Sequence, residues 1–175
     1  FMPPLDEGSY LFMPTTMPHA GIREALDVLQ RQDMAMLTVP EIAGAVGKLG
    51  RAETPLDPAP VEMFETVINY RPQYIVDRAG RRLTFKHRAD ETDLFRTEDG
   101  VPLTAPDGLP YVVPGRFERD EAGRLVPNRH GKPFRLWRPA LEPGLNPGRE
   151  AWRGIRKPDD IWDAVHTVIR PVAAG

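Results

Sequence analysis

The chain has 175 residues, a mass of 19.7 kDa and a net charge of −2. That is enough for one ordinary domain, or for a small domain with a large embellishment. It contains no Cys, which excludes disulfide staples, thiolate metal sites and thiol chemistry. Its 23 basic and 25 acidic residues give no overall basic field for a nucleic-acid duplex. No run of eighteen apolar residues occurs, so no membrane span is expected within it. The sequence opens at Phe1 with no basic leader region and reads as a piece of a longer protein, or as a processed product.

The first predicted element is a strand over residues 9–13, SYLFM, aromatic or apolar apart from Ser9. Pro14 and Pro18 bracket a loop. A helix is expected from about Gly21 to Leu37, with a stripe of Ile22, Ala25, Leu26, Leu29, Met36 and Leu37 that Asp33 interrupts. Pro40 stops it. Residues 41–49 read as a second strand diluted by Gly44 and Gly47, and GRAETPLDPAP at 50–60 as a loop. Val61 to Tyr70 is the clearest strand. It should place Phe64, Ile68 and Tyr70 on one face and Val61, Met63, Glu65 and Val67 on the other.

Beyond Pro72 the pattern becomes short hairpins and proline-stiffened loops. DRAG at 77–80, the stretch 116–127 around Gly123, and NRHGKPF at 128–134 carry turn chemistry, and Gly123 is suited to a positive φ. Residues 138–154 show no period and read as an irregular arm. No internal repeat is evident. Pro158 to Ile169 is a second helix, with Asp159 and Asp160 at its positive end, a stripe of Ile161, Trp162, Val165, Val168 and Ile169, and Pro171 as its stop.

Charge follows the same seams. Residues 1–72 hold 5 basic and 10 acidic groups, and residues 73–156 hold 16 and 12. The expected organisation is 1–72, an inserted hairpin and loop region at 73–156, and a returning helix at 157–175. The fold class is α+β: a ferredoxin-like β-α-β-β-α unit lacking its last strand, with a β-rich insertion.

Few residues carry chemistry. The histidines His19, His87, His130 and His166 are scattered, and no zinc pair, nucleophile–base pattern or phosphate loop appears. The arginines of the middle segment interleave with Phe117, Phe134 and Trp137 but also with acids, the pattern of a solvated, ion-paired surface rather than a stacking surface for nucleic acid. Met13 ends the first strand, and Met63 and Glu65 share a face of the third. Thioether sulfur suits soft ions such as Cu(I) and Ag(I), but methionine in an apolar run also serves as core filling. Glu65 between Val67 and Met63 needs a partner or water.

The stretches FMPPLDEGSYLFMPTTMP at 1–18, TVPEI at 38–42 and GKLGRAETPLDPAPVEMFETVINYRP at 47–72 together resemble the heavy-metal efflux branch of the resistance-nodulation-division transporters. A fainter likeness returns at EAWRGIRKPDDIWDAVHTVI, 150–169. The resemblance implies a porter subdomain on the periplasmic side of a proton-driven, homotrimeric pump of the bacterial inner membrane. Such pumps join a periplasmic adaptor and an outer-membrane channel. The implied activity is transport rather than catalysis, without nucleic acid and without an intrinsic cofactor.

The same resemblance implies a cleft for Cu(I) or Ag(I) as the transported ion. Met13 of the FMP motif and Met63 of PVEMFET match two of the family's metal-holding methionines, and Glu65 and Asp57 match nearby acidic positions. A third methionine belongs to a motif downstream of Gly175. Met17 stands where relatives carry leucine. The region 73–156 departs from the family pattern and is expected as a small β-rich outgrowth.

Overall fold

The structure, a computed structural model, describes residues 8–14, 21–49 and 64–173. The chain divides into two compact units: residues 1–71 with 161–175, and residues 72–160. Among the described residues no helix is long and apolar enough to cross a membrane.

The first unit begins with strand β1 (Ser9–Phe12), helix α1 (Ile22–Met36), strand β2 (Ile42–Leu49) and strand β3 (Phe64–Tyr70). The sheet order is β1-β3-β2, with β3 antiparallel to both neighbours. β1 and β2 therefore run parallel at the two edges, and α1 is the crossover between them. β3 alternates as a half-covered strand should: Phe64, Thr66 and Ile68 are buried, while Glu65, Val67 and Asn69 are exposed.

Helix α1 buries Ala25, Leu29, Gln32 and Met36, a stripe at helical spacing. This differs from the expected stripe. Ile22, Leu26 and Leu37 are exposed, and the polar Gln32 lies inside. The helix starts at Gly21 without a side-chain cap and closes where the Leu37 N–H reaches the Asp33 carbonyl at 3.1 Å.

Helix α2 (Pro158–Ala173) brings Ile161, Val165 and Ile169 into the core of the first unit. Trp162 packs against Tyr10 and Phe12 of β1, with ring centroids 4.9 and 6.1 Å apart, and His166 lies 6.0 Å from Phe12. The expected stop at Pro171 is not where the helix ends, because the helix continues to Ala173. A proline's fixed φ is helical, and in the last turn it removes only one N–H bond, so the terminal residues can follow it.

The second unit contains strands β4 (Thr84–Phe85), β5 (His87–Leu94), β6 (Val112–Phe117) and β7 (Lys132–Pro133), paired β5 with β6 and β4 with β7. Its core gathers Phe95, Ala105, Tyr111 and Leu141, with Leu103, Val113 and Trp152 packed on them. Tyr111 is fully buried and donates its hydroxyl to the Pro139 carbonyl at 2.7 Å. The arm expected to be irregular is stapled by polar groups. Buried Asn146 accepts the Val112 N–H and donates to the carbonyls of Val112 and Glu142. Arg149 clamps the Asp107 carboxylate and the Leu109 and Pro110 carbonyls.

A local cassette recurs in this unit, contrary to the reading that no repeat is present. At 77–81, 97–101, 105–109 and 120–124 the first residue's N–H bonds the fifth residue's carbonyl, and the glycine N–H at position four bonds back to the first carbonyl. The glycine takes a left-handed φ, +79° at Gly80 and +80° at Gly123, which a Cβ would resist. In the two DxxGR copies, Asp77 and Asp120 also accept the N–H groups two and four residues on and pair with Arg81 and Arg124.

Candidate functional site

The sheet of the first unit has one face packed by helices and one that is open. Strand alternation and register place the open-face residues in rows. Leu11 pairs with Val67, and Val67 with Val46, so these three form an apolar row, 57%, 44% and 68% exposed. Ser9, Asn69 and Gly44 form the next row.

The third row carries the chemistry. Phe12 pairs with Thr66, and the Phe64 N–H donates to the Pro14 carbonyl at 3.3 Å. Met13 therefore stands opposite Glu65. On the other side of β3, Glu65 is registered against Lys48. The row is Met13–Glu65–Lys48, exposed at every position. Directly opposed side chains on antiparallel strands start about 4.5–5.5 Å apart at Cβ, close enough for a thioether and a carboxylate to address one small cation.

Of the four residues expected to meet a metal, the structure thus brings Met13 and Glu65 onto neighbouring positions of one open face. Met63 and Asp57 lie outside the described residues, as does Met17. Lys48 was missed by the sequence reading. Its signal is the pairing of GKL in β2 with FET in β3, which a register argument makes visible once the strands are aligned. Among the described residues no group of three or more His, Cys, Asp or Glu side chains is arranged to hold a metal ion. A soft ion held by sulfur does not require such a cluster.

The covered side of the same strands explains why the open face keeps its geometry. Asp33 of α1 accepts the Gly47 N–H at 3.1 Å, fastening the helix to edge strand β2. A Cβ at Gly47 would fall 2.5 Å from Leu29 Cδ1 and 2.9 Å from Asp33 Oδ2, so glycine is what lets the helix approach. Burial raises the Asp33 carboxyl above its ordinary value of 3.8, and the Gly47 N–H and the nearby Thr66 hydroxyl offset this only in part. Thr66 approaches the carboxylate without completing a well-formed hydrogen bond.

The second unit offers less. A recess of about 50 Å³ is lined by residues that include Asp93, Arg96, Gly115, Arg119 and Phe134. That is room for little more than water. Both guanidinium groups are already engaged: Arg96 with Asp93 and the Gly100 carbonyl, Arg119 with the carbonyls of Thr97, Glu98 and Gly123.

No protein-family model matches the chain. The cation efflux system protein CusA of Escherichia coli K12 is 47% identical over 73 residues, 42% of this chain and 7% of that protein; CusA of E. coli O157:H7 matches equally. The putative cation efflux system protein SilA of Salmonella typhimurium is 41% identical over 93 residues, 53% of this chain and 9% of that protein. Part of this chain is therefore homologous to cation efflux system proteins. The chain spans less than a tenth of the length of the curated relatives it matches.

Proposed function

We propose that this chain is a periplasmic segment of a proton-driven heavy-metal cation efflux pump and that the open face of its sheet lines part of the metal path. The single observation that carries this reading is the Met13–Glu65 juxtaposition on an exposed sheet face, within a chain similar to cation efflux proteins. Met13 and Met63 supply thioether sulfur to Cu(I) or Ag(I) as the transported ion, and Glu65 and Asp57 supply nearby negative charge. The chain acts by binding and passing an ion, not by catalysis. The subdomain is ferredoxin-like, and its last strand is supplied by the parent polypeptide beside β1. The outward N–H and C=O groups of Ser9, Leu11 and Met13 alternate with those that face β3. The parent is a homotrimer of the inner membrane, working with its own transmembrane domain, a periplasmic adaptor and an outer-membrane channel.

The test is calorimetric titration of the full 175-residue chain with Ag(I), comparing wild type with Met13→Leu and Met63→Leu. Each substitution keeps apolar volume and removes a soft donor. Loss of one donor should weaken Ag(I) by about tenfold or more, equivalent to about 1.4 kcal/mol. Equal binding by wild type and Met13→Leu overturns the reading. A second reading is favoured by the exposed apolar row Leu11–Val67–Val46: the face is an assembly surface within an efflux pump and binds no metal directly. That reading expects the equal-binding result.

A further inference from the structure

This inference rests on the cation-path reading and concerns how the path chooses its ion. The register that sets Lys48 against Glu65 leaves that row with one acid and one base, flanked by the thioether of Met13. The other two described rows of this face, Leu11–Val67–Val46 and Ser9–Asn69–Gly44, carry no charge. Among the described residues of this open face, Lys48 is therefore the positive group next to the place where a cation would sit.

We propose that Lys48 is a charge filter that favours monovalent soft cations over divalent ones. With the path empty, one ammonium and one carboxylate leave the row formally neutral. An arriving ion meets two requirements. It must tolerate an ammonium a few ångström away, and it must find a donor. A monovalent soft ion draws on the sulfur of Met13 and needs little from the carboxylate of Glu65. A divalent, harder ion needs the carboxylate. It also feels twice the repulsion from Lys48. For unit charges about 6 Å apart in a partly aqueous setting, this repulsion is worth roughly three- to tenfold in affinity for each additional unit of ion charge. The sulfur thus supplies affinity and the lysine supplies discrimination, an arrangement of attraction to one partner and penalty against another.

The experiment titrates the full chain with Ag(I) and, separately, with Zn(II), in wild type, Lys48→Gln, Lys48→Arg and Met13→Leu. Circular dichroism melts confirm that each variant folds, as expected for changes at exposed positions. Differences between variants cancel any zinc taken up elsewhere. The expected result is that Lys48→Gln strengthens Zn(II) about three- to tenfold more than it strengthens Ag(I). Lys48→Arg should restore the wild-type ratio. An unchanged ratio in Lys48→Gln, with Met13→Leu still weakening Ag(I), overturns the filter and leaves the cation path standing. Ag(I) binding indifferent to Met13→Leu overturns both.

Discussion

The carboxylate of Asp33 reaches from helix α1 to the backbone N–H of Gly47 in edge strand β2, 3.1 Å away. The contact covers one backbone donor of an edge strand, and it places a carboxylate where burial raises its pKa above 3.8. The sign of the pH effect follows. A carboxyl whose folded pKa exceeds its unfolded value favours folding in its protonated form. Its contribution is complete below the unfolded value and is lost as pH rises through the folded one. Asp33→Asn keeps an acceptor for Gly47 and removes the charge. The variant should melt like wild type near about pH 3 and above it at about pH 7. Thermal melts at the two pH values check this, and a variant less stable at neutral pH would reverse it.

Asp160 behaves in the opposite sense. Burial alone would raise its pKa. The N–H groups of Arg156 and Lys157, with the charges of Arg153 and Lys157, outweigh that and hold it below 3.8. Its contribution is present above the unfolded value and is lost as pH falls through the folded one. Asp160→Ala should cost about 1–2 kcal/mol at neutral pH, as loss of a capping carboxylate does. The cost should shrink in strong acid. Urea unfolding at neutral and acid pH measures both.

The turn cassettes of the second unit predict a hierarchy. Gly123→Ala forces a Cβ into a left-handed φ and should cost about 1–2 kcal/mol. Asp120→Ala removes the acceptor for the Ala122 and Arg124 N–H groups, so those two amides should exchange faster with deuterium. Arg124→Ala removes only an exposed ion pair, which is weak in water, and should leave the same amides nearly as protected. Residue-resolved exchange compares the three, and equal effects would refute the ranking.

What the sequence made legible is what periodicity encodes. β3 shows its period of two in Phe64, Thr66 and Ile68, and α2 shows its period of nearly four in Ile161, Val165 and Ile169. The arrangement strand, helix, strand, strand, helix could be read from such patterns. β2 was faint because Gly44 and Gly47 dilute it, and Gly47 is there for helix approach rather than for strand propensity. The burial of Gln32 in place of Leu26 was not legible, because tertiary packing set the rotation of α1. Lys48 was invisible for a related reason: a residue's cross-strand neighbour depends on register, which no single strand contains. The turns at 97–100 and 105–108 escaped notice because Val101 and Leu109 replace the arginine that marks the DxxGR copies.

The four turn cassettes of residues 72–160 are closed locally and tied across the unit. Each turn closes its own two backbone bonds within five residues, yet three of the four are also held by arginines from outside: Arg96 and Arg119 at 97–101, Arg119 at 120–124 and Arg149 at 105–109. Deleting one of those three would strand a guanidinium that is satisfied there, so the turns are bound to one another through their arginines rather than strung as separate beads.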